Sequence, residues 1–91
     1  MQVRPVTWTL KRTCPVCEQG SCLVFIVCPG CSHMAIRCDE EGSFFPEPRN
    51  LTVVISEDAM CLACRGFPLS SFVPASDVAV RANGFTRADY E

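Results

Sequence analysis

The sequence has no apolar run long enough to cross a membrane. Its longest, CLVFIVC at residues 22–28, falls far short of the roughly 20 residues that a membrane helix needs. The first residues, MQVRPVTWTLKRT, also lack the apolar core of a secretory signal peptide. We therefore expect a cytoplasmic protein that does not associate with membranes. Thiols in that compartment stay reduced, and structural disulfides there are rare.

Motifs of the common enzyme classes are also missing. The sequence has no G-x-S-x-G elbow, no H-E-x-x-H pair and no glycine-rich phosphate loop. The acidic run Asp39, Glu40 and Glu41 precedes a glycine, which is typical of a solvated turn rather than of paired catalytic carboxylates. We therefore predict that the protein is not an enzyme.

Basic charge is scarce. Eight lysines and arginines face ten acidic residues, for a net charge of −2. Binding to nucleic acid depends on basic clusters that displace counterions. Here the only adjacent basic pair is Lys11 and Arg12, so the composition favours a protein partner. A nucleic-acid-binding surface made of Lys11, Arg12 and Arg37 stays open as the alternative.

Cysteine, by contrast, is abundant, with 8 cysteines in 91 residues. Six of them form three C-x2-C pairs: Cys14 and Cys17, Cys28 and Cys31, and Cys61 and Cys64. Two stand alone, Cys22 and Cys38. A C-x2-C pair in a tight turn brings both sulfurs to one ion, and four thiolates make the tetrahedral shell that zinc prefers. Because a small chain gains much from a metal staple, we predict a structural zinc site.

Two of the pairs carry a more specific pattern. C-P-V-C at residues 14–17 is followed, after ten residues, by C-P-G-C at residues 28–31. This arrangement resembles the zinc-ribbon class, in which two C-P-x-C knuckles close one four-cysteine site. The resemblance implies a small β-rich, metal-stabilised fold with antiparallel strands. Because many unrelated proteins share this class, it implies little about function. The chain departs from it at Glu18 and Ser32, where many knuckles have glycine.

Three ligand sets are open. The first choice, for one zinc ion, is the compact ribbon: Cys14, Cys17, Cys28 and Cys31. The second joins the outer knuckles: Cys14, Cys17, Cys61 and Cys64. The third set uses all eight sulfurs: it keeps the compact ribbon and adds a second ion, bound by Cys22, Cys38, Cys61 and Cys64. If Cys22 and Cys38 are not ligands, we expect them to be buried as small hydrophobic residues. His33 is a further candidate ligand in place of a sulfur.

Hydrophobic patterning predicts the strands. Residues 6–12 alternate apolar and polar side chains, and residues 23–27, 34–38, 44–45 and 51–55 are apolar runs bounded by turn residues. A hairpin that turns at Pro29 and Gly30 places Cys22 beside Cys38 at its open end. We expect Trp8 and Phe25 in the core, and any exposed aromatic residues at Phe44 and Phe45.

The C-terminal part has helix signals. Ser76 is a good N-cap, Asp77 suits the first turn, and Gly84 is placed to end a helix, so we predict a short helix over residues 76–83. Residues 86–91 are expected to form a loose tail. The predicted division is a zinc-ribbon β domain at 1–73, with the helix and tail of residues 74–91 packed on it.

The leading functional hypothesis is a non-catalytic, structural zinc-binding module that mediates protein interaction. The first alternative is a nucleic-acid-binding zinc ribbon. The second is a thiol redox protein that uses one C-x2-C pair. That chemistry calls for the pair to lie at a helix N-terminus in a βαβ unit, and the pattern of strands predicts no such unit.

Overall fold

A computed structural model describes residues 7–18, 20 and 22–91. Strand β1 (Leu23–Val27) and strand β2 (Met34–Cys38) are followed by the short strand β3 (Phe44–Phe45). A 3-10 turn at Leu69–Ser71 precedes strand β4 (Val73–Pro74), and helix α1 (Asp77–Ala82) follows. Within this described part of the chain, no helix has the length and apolar character needed to span a membrane.

The four strands form one antiparallel sheet in the order β3-β2-β1-β4. The central hairpin pairs Leu23 with Cys38 at its open end and Val27 with Met34 next to its turn. The expectation of a small β-rich fold with antiparallel strands and a short C-terminal helix is confirmed.

Both faces of the sheet are covered, and this explains the uninterrupted apolar run of β1. Leu23 and Phe25 point to one side, the helix face, and join a core with Val80 of α1 and with Tyr90. Val24 and Ile26 point to the other side, the loop face, and join a second core. The loop-face core is completed by residues from the chain that follows the hairpin: Phe44, Cys61, Leu69 and Phe72. A strand buried on both faces is apolar at every position.

Two predicted strands are wrong. In residues 7–12, only Thr9 and Leu10 form bridges, to Val24 and Tyr90, and position 6 lies outside the described residues. In residues 51–55, only Ile55 forms a bridge, to Phe44. The apolar side chains at 53 and 54 are exposed, so this run has no partner strand that would hold it extended.

Strand β4 has no counterpart among the predicted strands. It pairs with the end of β1 through Val73 and Pro74, at the edge of the sheet. Proline signals a break in a strand pattern because it cannot donate to a ladder, but an edge position tolerates it. The expectation that Phe44 and Phe45 are exposed is also wrong. They form β3, one on each covered face of the sheet, and are 4% and 0% exposed.

The predicted helix is confirmed, and its ends follow the expected signals. The Ser76 hydroxyl accepts a hydrogen bond from the Ala79 amide at 3.1 Å, which satisfies a free amide of the first turn. Gly84 follows the C-cap residue Asn83 with φ +90°, a conformation that glycine adopts without strain. The Arg49 guanidinium donates to the Asn83 carbonyl at 3.1 Å and so neutralises the helix C-terminus.

Residues 86–91 are not a loose tail. The backbones of Thr9 and Glu91 exchange two hydrogen bonds, of 2.7 and 2.9 Å, and Tyr90 is 1% exposed. The Tyr90 ring meets Trp8 and Phe25 edge to face, with centroids 5.6 and 6.0 Å apart. Its hydroxyl donates to Asp77 at the start of α1, which fastens the tail to the helix. Sequence patterning misses this because the contacts join residues at opposite ends of the chain, which no local pattern signals.

We predict that Gly84→Ala lowers the free energy of unfolding by about 1–2 kcal/mol, since an L side chain in the left-handed region costs that much. The added Cβ would also lie 2.8 Å from Nη2 of Arg49, which must move. Urea denaturation of the metal-loaded protein measures the effect. Gly20→Ala is the control, because its Cβ meets nothing within 4 Å. Equal stability of the two variants would contradict the account.

Candidate metal centres

The eight cysteines gather in two clusters at opposite ends of the central hairpin. The base cluster, at the open end, contains Cys14, Cys17, Cys22 and Cys38. The tip cluster, at the turn, contains Cys28, Cys31, Cys61 and Cys64. Within each cluster all four sulfurs lie within 4.8 Å of one another. No disulfide joins any of the eight cysteines.

This partition differs from every predicted ligand set. The structure does not bring the first-choice set together, because Cys14 and Cys17 lie at the open end of the hairpin while Cys28 and Cys31 form its turn. Cys22 and Cys28 are six residues apart along an extended strand, which separates them by about 20 Å. The outer-knuckle set is not formed either, since the 61–64 pair joins the turn.

The third predicted set, in which all eight sulfurs form two groups, is closest to the geometry. The 28–31 and the 22/38 pairs are exchanged between the two groups. Cys22 and Cys38 do meet, with sulfurs 3.9 Å apart, as the hairpin register predicts. They join the 14–17 pair rather than the 61–64 pair. The sulfur of Cys22 lies 3.0 Å from that of Cys17, so this single cysteine does belong with a neighbouring C-x2-C pair.

The sulfur spacing matches that of a ligand shell. Four sulfurs at about 2.3 Å from a tetrahedral zinc ion lie about 3.8 Å from one another. In the tip cluster, the Cys28 and Cys64 sulfurs are 3.7 Å apart and those of Cys31 and Cys61 are 3.5 Å apart. Disulfide sulfurs lie at about 2.05 Å, far closer than these. Both quartets can therefore hold a metal ion.

Each C-x2-C pair sits in the same tight turn. The residue after the second cysteine donates its amide hydrogen to the carbonyl of the first, at 2.9 Å in all three turns. That residue is in the left-handed region in each turn: Glu18 at φ 60°, Ser32 at 64° and Arg65 at 55°. Inside the turns, amides point at sulfur, as from Gly30 to Cys28 at 3.4 Å. Glycine is thus replaced in these knuckles without loss of the turn.

A fourth turn of this kind contains only one cysteine. Gly42 donates to the Cys38 carbonyl at 2.8 Å and has φ 71°, and the Glu41 amide lies 3.5 Å from the Cys38 sulfur. The Cys17 amide stands in the same relation to Cys14, also at 3.5 Å. Glu41 therefore occupies the position of a second knuckle cysteine, and Cys22 supplies the missing sulfur. The sequence signal for this turn is a glycine four residues after a cysteine.

Burial differs between the clusters. In the base cluster three cysteines are buried and Cys17 is half-buried, whereas in the tip cluster Cys31 and Cys64 are exposed. The tip cluster thus reaches the surface. His33 belongs to neither cluster, and its Nε2 is buried without a hydrogen-bond partner among the residues that the structure describes.

Backbone amides favour one thiolate in the tip cluster. Burial opposes ionisation of Cys61, but amides of Cys64 and Ala63 and the thiols of Cys31 and Cys28 donate to its sulfur and lower its pKa to about 6. For Cys31 the His33 amide acts in the lowering direction. Burial and the neighbouring thiols outweigh it and raise the pKa of Cys31 to about 12.

The base cluster has the same division. Burial raises the pKa of Cys14, but hydrogen bonds from the amides of Cys17 and Val16 lower it by more. The net shift of this pKa is therefore downward. Burial, together with the adjacent thiols of Cys17 and Cys38, raises the pKa of Cys22. Burial also raises the pKa of Cys38, against the amide of Glu41. Four thiolates so close together would repel one another. A bound cation would offset that repulsion, because it takes the place of the protons on the thiols.

No protein-family model matches this chain. Neither the curated proteins nor the solved structures contain a match to it. The interpretation of the site therefore depends on the geometry of the two clusters.

We predict that Cys22→Ser removes the base-cluster ion and that Cys22→Ser/Glu41→Cys restores it. The restored thiol would stand in the knuckle position of the 38–42 turn, at an exposed residue that tolerates substitution. Native mass spectrometry counts the ions. Cys22→Ser/Glu40→Cys is the matched control, with the thiol one position away. Restoration by both double variants would show that position 41 is not special.

Acid should release the metal. The thiolate at Cys61 forms above a pKa of about 6 and is protonated below it, so protons compete with the ion as pH falls. Because a bound ion itself holds the thiolates deprotonated, we expect both ions to stay bound at pH 7 and the tip cluster to lose its ion only at a pH below that pKa. A zinc-sensitive dye follows the release during titration. Release that is independent of pH between 7 and 4 would contradict thiolate ligation.

Proposed function

We propose that this protein is a structural zinc-binding module that holds one zinc ion in each cysteine cluster and carries out no catalysis. The observation that supports this proposal is the gathering of all eight thiols into two groups of four, with the sulfurs of each group within 4.8 Å of one another. Eight cysteines without a disulfide suit a reducing compartment, so we also propose that the protein is cytoplasmic.

Zinc fits these donors better than the alternatives. A closed shell of four thiolates is typical of structural zinc sites, whereas catalytic zinc keeps one position open for water. Iron accepts the same four-sulfur tetrahedron, so the identity of the ion is part of the test. Calcium and magnesium require oxygen ligands, which neither cluster supplies.

The ions would link parts of the chain that are distant in sequence. In the base cluster, an ion ties the 14–17 knuckle to the open end of the hairpin. In the tip cluster, an ion ties the 61–64 knuckle to the hairpin turn. Small domains bury a limited apolar surface, so two such links contribute a large share of the folding free energy.

A protein partner is the best supported binding partner. The tip cluster is bordered by exposed apolar side chains at Met60, Leu62 and Phe67, of which Leu62 lies inside the knuckle and is 56% exposed. Exposed apolar groups on a rigid turn are typical of protein-binding sites.

The nucleic-acid alternative has weaker support. Its three basic residues do not share a surface: Arg37 lies on the loop face and pairs with Asp39 at 3.5 Å, while Lys11 is joined through its backbone to Asp89 on the helix-face side. The thiol redox alternative is favoured by one observation, the lowered pKa of Cys61. That sulfur is fully buried, however, and reactive thiolates need access.

Metal stoichiometry tests the proposal. We expect native mass spectrometry to find two zinc ions in the purified chain. Cys14→Ser/Cys17→Ser and Cys61→Ser/Cys64→Ser should each retain one, so that each variant is the control for the other. Chelation should also lower the melting temperature of the wild type steeply, because metal binding is coupled to folding.

A single ion in the wild type, or iron in place of zinc, would overturn the corresponding part of the proposal. Rapid alkylation of Cys61 in the metal-loaded protein would instead support the redox alternative.

A further inference from the structure

A cleft with three cations lies on the helix-face side of the molecule. Its volume is about 260 Å³, and it opens between residues 10–12, residues 48–49 and the C-terminal segment 85–89. The residues that matter for its chemistry are Leu10, Lys11, Arg12, Arg49, Phe85 and Asp89. None of them belongs to either cysteine cluster.

The charge of this cleft is opposite to that of the whole chain. Of the residues that the structure describes, three cations and one carboxylate line it, in a protein with a net charge of −2. Glu91 borders a neighbouring hollow that Lys11 and Arg12 also line. The side chains of Lys11 and Arg12 form no ion pair or hydrogen bond within the described part of the chain.

Asp89, the one carboxylate among the described residues that line the cleft, is already engaged. Asp89 accepts hydrogen bonds from the Thr86 amide at 2.8 Å and from the Thr86 hydroxyl at 3.1 Å. These bonds close a local turn and hold the carboxylate against the C-terminal segment. Lys11 and Arg12 therefore remain available to an outside anion.

The third cation is held in place. Nη2 of Arg49 donates to the Asn83 carbonyl, and its guanidinium lies 4.3 Å above the centre of the Phe85 ring. Contacts on two sides fix the guanidinium, which lowers the entropy lost when a ligand binds. A planar guanidinium at a cleft wall suits phosphate or carboxylate oxygens.

The apolar part of the cleft wall is small, because Leu10 and Phe85 are 3% and 7% exposed and the Arg49 guanidinium lies over the Phe85 ring. Leu10 and Phe85 both belong to the helix-face core, so this part of the wall is rigid. Ligand sites typically combine apolar walls with a few placed polar groups. The volume admits a group about the size of a single aromatic ring with an acidic substituent.

We propose that this cleft binds a small organic anion, whose phosphate or carboxylate group meets Lys11 and Arg12 while a compact apolar group lies against Leu10 and Phe85. The site is separate from the metal clusters, so it neither requires nor tests the proposed structural role of zinc.

Nitrogen-15 NMR of the metal-loaded full chain tests this proposal, with phenyl phosphate, benzoate and inorganic phosphate as probes at low ionic strength. We expect saturable shifts of the amides of Lys11, Arg12 and Asp89, and none at Glu57 on the loop-face side. Phenyl phosphate should bind at least about fivefold more tightly than inorganic phosphate, because its ring buries apolar surface. Comparison with benzoate identifies the preferred acidic group.

Lys11→Ala and Arg12→Ala should each weaken binding of the preferred probe by roughly two- to fivefold, the range for exposed ion pairs. Both side chains are exposed, so these variants should keep the fold and both metal clusters, as CD and ion counting can verify. Arg65→Asn is the matched control. It removes one positive charge at the tip cluster, and asparagine tolerates the left-handed φ of 55° found there.

Three results would overturn the proposal. The first is an absence of saturable shifts with any probe. The second is equal affinity for inorganic phosphate and phenyl phosphate, or an equal loss in Arg65→Asn, since either result indicates diffuse charge attraction only. The third is tighter binding of a short single-stranded oligonucleotide with shifts that extend to Arg37, which would indicate a nucleic-acid surface.

Discussion

The register of β1 against β2 is the constraint on which the arrangement of sulfurs depends. Pairing of Leu23 with Cys38 and of Val27 with Met34 sends two cysteines to one end of the hairpin and two to the other. The remaining pairs, at 14–17 and 61–64, can then join only the end that their own segments reach. A one-residue slip would turn every side chain of β1 to the opposite face. Both cores and both clusters would be lost with it.

Covering both faces of so small a sheet requires most of the remaining chain. Helix α1 and the segment that ends at Tyr90 cover one face, and the segment between Phe44 and Phe72 covers the other. Much of this second segment is irregular, so it depends on fixed points rather than on strand pairing. The tip cluster is such a point, because Cys61 is both a member of the loop-face core and a candidate ligand.

Local patterns predicted the hairpin, the short helix and the abundance of metal-binding thiols. These local patterns failed where the structure of a segment depends on its contacts with a distant part of the chain. Residues 51–55 have the composition of a strand, but only Ile55 pairs with a neighbour. Strand β4 contains a proline that only an edge accepts. Tyr90 is held by Trp8 and Phe25, from distant parts of the chain. The grouping of cysteines failed for a related reason: sequence spacing favours the nearest pairs, whereas an extended strand keeps Cys22 and Cys28 far apart.

The hairpin has no loose end. Strands usually fray from their termini, where the last hydrogen bonds open most easily. Here sulfur clusters lie at both ends of β1 and β2, so opening is expected to begin at the short outer strands β3 and β4 and to reach the centre last. The slowest amide exchange in the molecule should then lie around Phe25 and Ile36, midway between the clusters. A hairpin held in this way is a stiff spacer between two chemically similar but differently exposed ends.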